Sequence, residues 1–161
     1  MNIVYLKTPL NKYTFKSKSI KDWVESHCEG KNVLNLFAGQ VKIDRCFEIR
    51  NDIDEIMNAD YHLDALDFVT QWHDDPFDVV ILDPPYSYRK SMEFYNGHKA
   101  SKFNQLKDKL GEILSDGGKV ITFGYHSVSM GKVRNFKQNE IMLMSHGGAI
   151  HDTIAIVEVA I

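Results

Sequence analysis

Residues 77–86 read FDVVILDPPY, and this stretch decides the fold. Phe77 to Leu82 is a short apolar run rich in β-branched side chains, the composition of a strand buried on both faces. Pro84 and Pro85 cannot continue it, because proline fixes φ and has no N–H to give to a ladder. Working outward, Asn32 to Phe37 (NVLNLF) is a second apolar run, closed by Ala38-Gly39. Cys46 to Arg50 and Lys119 to Phe123 (KVITF) complete a set of short strands. Helical patterns lie between them at Ser19–Glu29, Asp64–Trp72 and Phe103–Leu114, the last stopped by Asp116-Gly117-Gly118. The chain ends as a hairpin, with Ile141 to Ser145, a turn around Gly147-Gly148, and Thr153 to Val159. Alternating strands and helices, with apolar rather than alternating strands, predict an α/β fold: a mostly parallel sheet covered on both faces, with an antiparallel C-terminal hairpin.

The 161 residues fit one domain, with no repeat, low-complexity tract or linker to divide it. No stretch approaches the ~20 apolar residues needed to span a bilayer, and residues 1–13 lack the apolar core of a secretory signal. Cys28 and Cys46 fit neither a disulfide framework nor a zinc knuckle, so a cytoplasmic protein is expected. The seven histidines show no metal-ligand spacing, although His146 and His151 flank the Gly-Gly turn; no metal is expected. The net charge of -3 conceals segregation. Five lysines and no acid precede Asp22, twelve acids and two bases run from Asp44 to Asp83, and six bases face two acids from Arg89 to Lys109. Such a chain can present a basic face to nucleic acid whatever its total charge.

In sheets of this kind ligands collect beyond the carboxyl ends of the strands. Asp83-Pro84-Pro85-Tyr86 lies at one such end. An exocyclic base amine is a poor nucleophile, since its lone pair is delocalised into the ring. A carboxylate and an adjacent outward carbonyl can accept its hydrogens and favour a pyramidal nitrogen. Asp83 and Pro84 supply these, and Tyr86 supplies a face on which a base stacks, worth about 1–3 kcal/mol. At a second end, Phe37-Ala38-Gly39 allows close backbone approach to a ligand. It lacks the GxGxxG spacing of a dinucleotide site. At a third, Asp52 or Asp54 can bind both hydroxyls of a ribose. Asp64 suits a helix N-cap and can also accept from an adenine amine, with the backbone amides from Ala65 onward reading the ring edge.

Asn35 to Gly39, Asn51 to Asp54, Asp64 to Asp67 and Asp83 to Tyr86 together resemble the amino-methyltransferase branch of the Rossmann-like methyltransferases. That group includes the adenine-N6 and cytosine-N4 DNA methylases and some RNA methylases with the same DPPY motif. The resemblance runs from about Val33 to Phe123. It implies S-adenosylmethionine as cofactor, with Asn35 in its site, Phe37, Ala38 and Gly39 on its methionine side, Asp52 on the ribose, and Asp64 and Ala65 on the adenine. Asp83 to Tyr86 would hold the target base. Tyr86, Tyr88, Arg89, Lys99 and Lys102 would then contact the substrate, expected to be DNA ahead of RNA. The oligomeric state stays open. The other readings are an RNA methylase acting on guanine N2 or adenine N6, a small-molecule methylase, and a non-catalytic module of the same fold. Three departures stand out. Asn35 occupies a position where the family has an acid, Gly39 and Asp52 are too close for the customary helix and strand between them, and no insertion provides a separate target-recognition domain.

Overall fold

The computed structural model describes residues 1–85, 102–148 and 151–161. Seven strands form one sheet: β1 (Asn2–Lys7), β2 (Asn32–Asn35), β3 (Phe47–Arg50), β4 (Phe77–Leu82), β5 (Leu114–Gly124), β6 (Phe136–Ser145) and β7 (Thr153–Ala160). Their spatial order is β1-β6-β7-β5-β4-β2-β3. Pairings are parallel except those that β7 makes with β5 and β6. The expected mostly parallel sheet with antiparallel terminal strands is therefore present.

Helix α1 (Lys18–Cys28) covers one face, where Ile20, Val24 and Cys28 pack with Val33, Val79, Ile81, Ile121 and Phe123. Helices α2 (Ala65–Gln71) and α3 (Lys102–Lys109) cover the other over β2, β4 and β5, burying Phe68, Val69, Leu106 and Leu34. Burial of side chains this large contributes roughly 1.5–3 kcal/mol each. None of the described helices is long and apolar enough to cross a membrane. Cys28 and Cys46 are free thiols. Burial pushes them up to about 12 and about 11, so both stay protonated at neutral pH.

Several boundaries differ from those the sequence suggests: β2 ends at Asn35 rather than Phe37, and β6 begins at Phe136 rather than Ile141. The helix expected to reach Leu114 ends at Lys109, followed by one 3-10 turn over Leu110–Glu112. Asp116-Gly117-Gly118 is not its stop but part of a bulge in β5, where Phe77 pairs with Leu114 and Val79 with Lys119. Strand β1 was not expected at all. It lies at an edge of the sheet and pairs with β6, from the far end of the chain, so no local pattern announces it.

The link from β2 to β3 carries no helix, although these parallel strands are neighbours. Its path is fixed by one buried side chain. The Arg50 guanidinium donates from Nη2 to the carbonyls of Ala38 and Gly39 (3.2 and 2.9 Å), from Nη1 to that of Val41 (2.9 Å), and from Nε to that of Asn58 (2.8 Å). Nη1 also meets both carboxylate oxygens of Glu48 at 3.2 Å. Glu48 in turn accepts from Ile43 N and from Asn35 Nδ2, both at 3.1 Å. Ile43 packs into the core with Ile20, Val24 and Cys28 of α1.

The ion pair is almost wholly out of water, at 4% exposure for the Arg50 side chain and 0% for Glu48. Removing one partner of such a pair leaves an uncompensated charge, which costs about 3–5 kcal/mol. Arg50→Met should therefore lower unfolding free energy by an amount in that range, read from urea denaturation. Arg50→Lys should recover little of it, because one ammonium cannot reach four carbonyls.

Candidate functional site

The carboxyl ends of β2, β3, β4 and β5 converge on one cavity of about 580 Å³, within the size range of small-molecule sites. Phe37, Ala38 and Gly39 border it after β2, Asp52 and Asp54 after β3, Asp83, Pro84 and Pro85 after β4, and Tyr125 after β5. Asp64 and Ala65 close it at the start of α2. These ten residues from the ends of β2, β3 and β4 and the start of α2 come from separate segments of sequence, and the sheet topology brings them together.

Gly39 has φ +59°, in the left-handed region. Its N–H donates to Asp52 Oδ2 at 2.8 Å, and Asp54 N donates to Asp52 Oδ1 at 3.0 Å. A carboxylate has about four lone-pair sites, so Asp52 joins two cavity walls and keeps acceptor capacity for a ligand. Behind them, Asn51 is fully buried. Its Nδ2 donates to the carbonyls of Leu36 and Leu63, and its Oδ1 accepts from Leu63 N. Asn51 is a scaffold residue within a motif expected to bind ligand.

Asp64 is the N-cap of α2, its Oδ1 accepting from Leu66 N at 3.0 Å. Its Oδ2 accepts from Lys102 Nζ at 2.5 Å. Lys102, expected to contact substrate, is thus tied to an acid of the cavity wall. Asn35, expected beside a cofactor, is placed elsewhere: it is fully buried, is not among the residues bordering the cavity, and turns its amide to Glu48. An acid at position 35 would set two carboxylates against each other, so asparagine and Glu48 belong together. Tyr86, Tyr88, Arg89 and Lys99 lie outside the described residues.

Sequence reading did not assign Asn11 to Thr14, between β1 and α1, to a cavity wall. Asn11, Lys12, Tyr13 and Thr14 border the cavity, and Tyr13 lies against Gly39, its Cδ1 3.7 Å from where a Cβ on that glycine would stand. The signal available was the run of unopposed lysines. His146 is structural: Nδ1 bonds with the Thr8 carbonyl (2.9 Å) and Nε2 with the Thr153 hydroxyl (2.8 Å). His151 meets the Tyr125 ring edge at 5.9 Å. No group of three or more His, Cys, Asp or Glu side chains that could hold a metal occurs among the described residues.

No protein-family model matches the sequence, and no curated protein matches it. Solved structures do match the fold. NodS, an N-methyltransferase of Bradyrhizobium japonicum, superposes with a TM-score of 0.62 at 12% identity over 94% of this chain and 99% of its own. The magnesium protoporphyrin IX methyltransferase ChlM of Synechocystis, with bound S-adenosylmethionine, gives 0.58 at 11% identity over 92% and 79%. TrmN of Thermus thermophilus gives 0.59 at 14% identity over 89% of this chain and 48% of its own. The fold is that of the Rossmann-like methyltransferases.

The cap at Asp64 yields a stability prediction separate from any activity. Asp64→Ala removes the cap and the Lys102 pair and should cost about 1 kcal/mol. Asp64→Asn keeps an oxygen for Leu66 N and should cost less. Thermal denaturation of the two variants beside the parent protein checks the order.

Proposed function

We propose that the protein is a single-domain S-adenosylmethionine-dependent methyltransferase that modifies an exocyclic amino nitrogen of a nucleic-acid base, adenine N6 in DNA first and cytosine N4 next. One observation carries the reading: Asp83, Pro84 and Pro85 border the same cavity as Gly39, Asp52 and Asp64. Two of the fold's neighbours support it further, since NodS is an N-methyltransferase also solved with S-adenosylhomocysteine, and ChlM was solved with the methyl donor.

The residues present suit that cofactor. Asp52 has remaining acceptor sites for ribose hydroxyls, and Asp54 stands beside it. Phe37, Ile53 and Leu63 offer apolar surface to an adenine ring, and Asp64 with the Ala65 backbone meets its polar edge. Acidic walls also favour a cationic ligand over a phosphate-bearing one. Ala38 and Gly39 bring backbone close to the methionine side. The cofactor supplies an electrophilic methyl group on a sulfonium. The chain's part is to bind and orient the acceptor. The Asp83 carboxylate and the Pro84 carbonyl accept the two amine hydrogens, drawing the nitrogen lone pair out of conjugation. The methyl carbon's bond to the sulfonium sulfur would break as its bond to nitrogen forms, leaving S-adenosylhomocysteine, and the proton the nitrogen then loses would pass along its hydrogen bond to the Asp83 carboxylate. Tyr86 stacks the base, which must be flipped from a duplex or already single-stranded.

The test combines transfer and binding. Labelled S-adenosylmethionine is incubated with separate pools of DNA, RNA and small metabolites, and products are read by nucleoside mass spectrometry. Label in N6-methyladenine or N4-methylcytosine from the DNA pool is the expected result. Label only in RNA would move the substrate, and label only in metabolites would reject the nucleic-acid reading. Asp83→Ala should cut turnover by roughly 10²–10³, the loss when one preorganised polar contact goes, with S-adenosylhomocysteine affinity retained in calorimetry. Asp83→Asn should be milder, since the amide oxygen still accepts. Full activity of Asp83→Ala, in a preparation free of host methylases, would overturn the role given to this turn.

A further inference from the structure

Four of the five lysines preceding Asp22 divide into two kinds. Lys18 pairs with Asp22 at 2.5 Å, and Lys21 pairs with Asp44 at 2.6 Å. Lys12 and Lys16 make no ion pair among the described residues. Their Nζ atoms lie 5.4 and 5.1 Å from the centroid of the same Tyr13 ring, within cation–π range. Both side chains belong to exposed residues, whereas Tyr13 is half-buried and borders the cavity. The two ammonium groups can therefore stand no farther apart than about one Debye length, about 10 Å at 0.1 M salt. Two like charges gathered on one ring without a carboxylate repel each other, and an anion set between or beside them relieves that repulsion.

The position says which anion. Lys12 borders the cavity that holds Asp83, while Lys16 does not, so the pair runs from the rim outward over the surface. A small carboxylate inside the cavity would meet Lys12 alone. A phosphodiester strand whose base enters the cavity would pass both. Lys102, the other described lysine expected to meet substrate, is committed to Asp64. We infer that Lys12 and Lys16, braced by Tyr13, form the phosphate-binding rim for a nucleic-acid strand whose base is presented to Asp83. This rests on the proposed function and identifies where that site grips its substrate.

The experiment measures two affinities of the intact protein. Binding of a fluorescein-labelled single-stranded oligodeoxynucleotide is followed by anisotropy at several salt concentrations, and binding of S-adenosylhomocysteine by calorimetry. Each phosphate neutralised on a single strand contributes about 0.7 to the slope of log affinity against log salt. The double variant Lys12→Gln/Lys16→Gln should bind the oligonucleotide more weakly and with a slope shallower by about 1.4, with its S-adenosylhomocysteine affinity unchanged. The control Lys132→Gln/Lys137→Gln removes the same charge at the opposite, amino-terminal end of β6 and should leave the slope as in the parent. A parent slope retained in Lys12→Gln/Lys16→Gln, or an equal fall in the control, overturns the rim. Loss of S-adenosylhomocysteine binding would also overturn it, assigning the lysines to the cofactor's carboxylate. If the parent protein binds no oligonucleotide at any salt concentration, the nucleic-acid reading itself fails, a result distinct from the others.

Discussion

The guanidinium of Arg50 holds together the part of the molecule on which the candidate site depends. A parallel strand pair normally needs a crossover element, and here the link between β2 and β3 has no helix to supply internal hydrogen bonds. Its backbone carbonyls would be left without partners in a protein interior, where each unpaired group is costly. Arg50 has five N–H donors in a rigid fork, and it spends them on four carbonyls of two loops and on Glu48. One side chain thus replaces the bonding of a helical turn.

That substitution propagates into the cavity. Ala38 and Gly39, whose carbonyls Arg50 fixes from behind, present their other side to the ligand space. Gly39 N then fixes Asp52, and Asp52 fixes Asp54 N. The chain of contacts runs from a buried charge pair to the acids that border the cavity, so the loop is preorganised without a helix. The same arrangement accounts for Asn35. Glu48 already supplies the buried carboxylate that Arg50 requires, and the amide of Asn35 donates to it where an acid would be repelled.

Charge is handled differently at the two rims of the cavity. At α2, Lys102 neutralises Asp64 directly, an interaction between α3 and a helix cap 38 residues earlier in the chain. At the segment after β1, Lys12 and Lys16 rest on an aromatic face, which attracts cations without cancelling their charge. The same residue type therefore yields one rim that is internally satisfied and one that still presents positive charge to solvent.

The sequence by itself determined the central strands and which residues stand at their carboxyl ends. Val79, Val80 and Ile81 are buried on both sheet faces, and a continuous β-branched run stopped by two prolines records that environment locally. Gly39, Asp52, Asp64 and Asp83 were legible for a related reason, since a parallel sheet places all its strand ends on one side whatever the loop details. The tertiary structure alone decided what depends on partners distant in the chain. Strand β1 exists because β6 offers it a free edge more than a hundred residues away. The Asp116-Gly117-Gly118 turn is a bulge because β4 lies beside it. Arg50 in the sequence is one charge at the end of a strand, and only burial against Glu48 and the carbonyls of two loops makes it the hub. Lys102 and Lys12 are likewise identical in composition and opposite in role. Local patterns encode burial and backbone preference, whereas the partner a charge finds is set by which loops the folded sheet brings within hydrogen-bond reach.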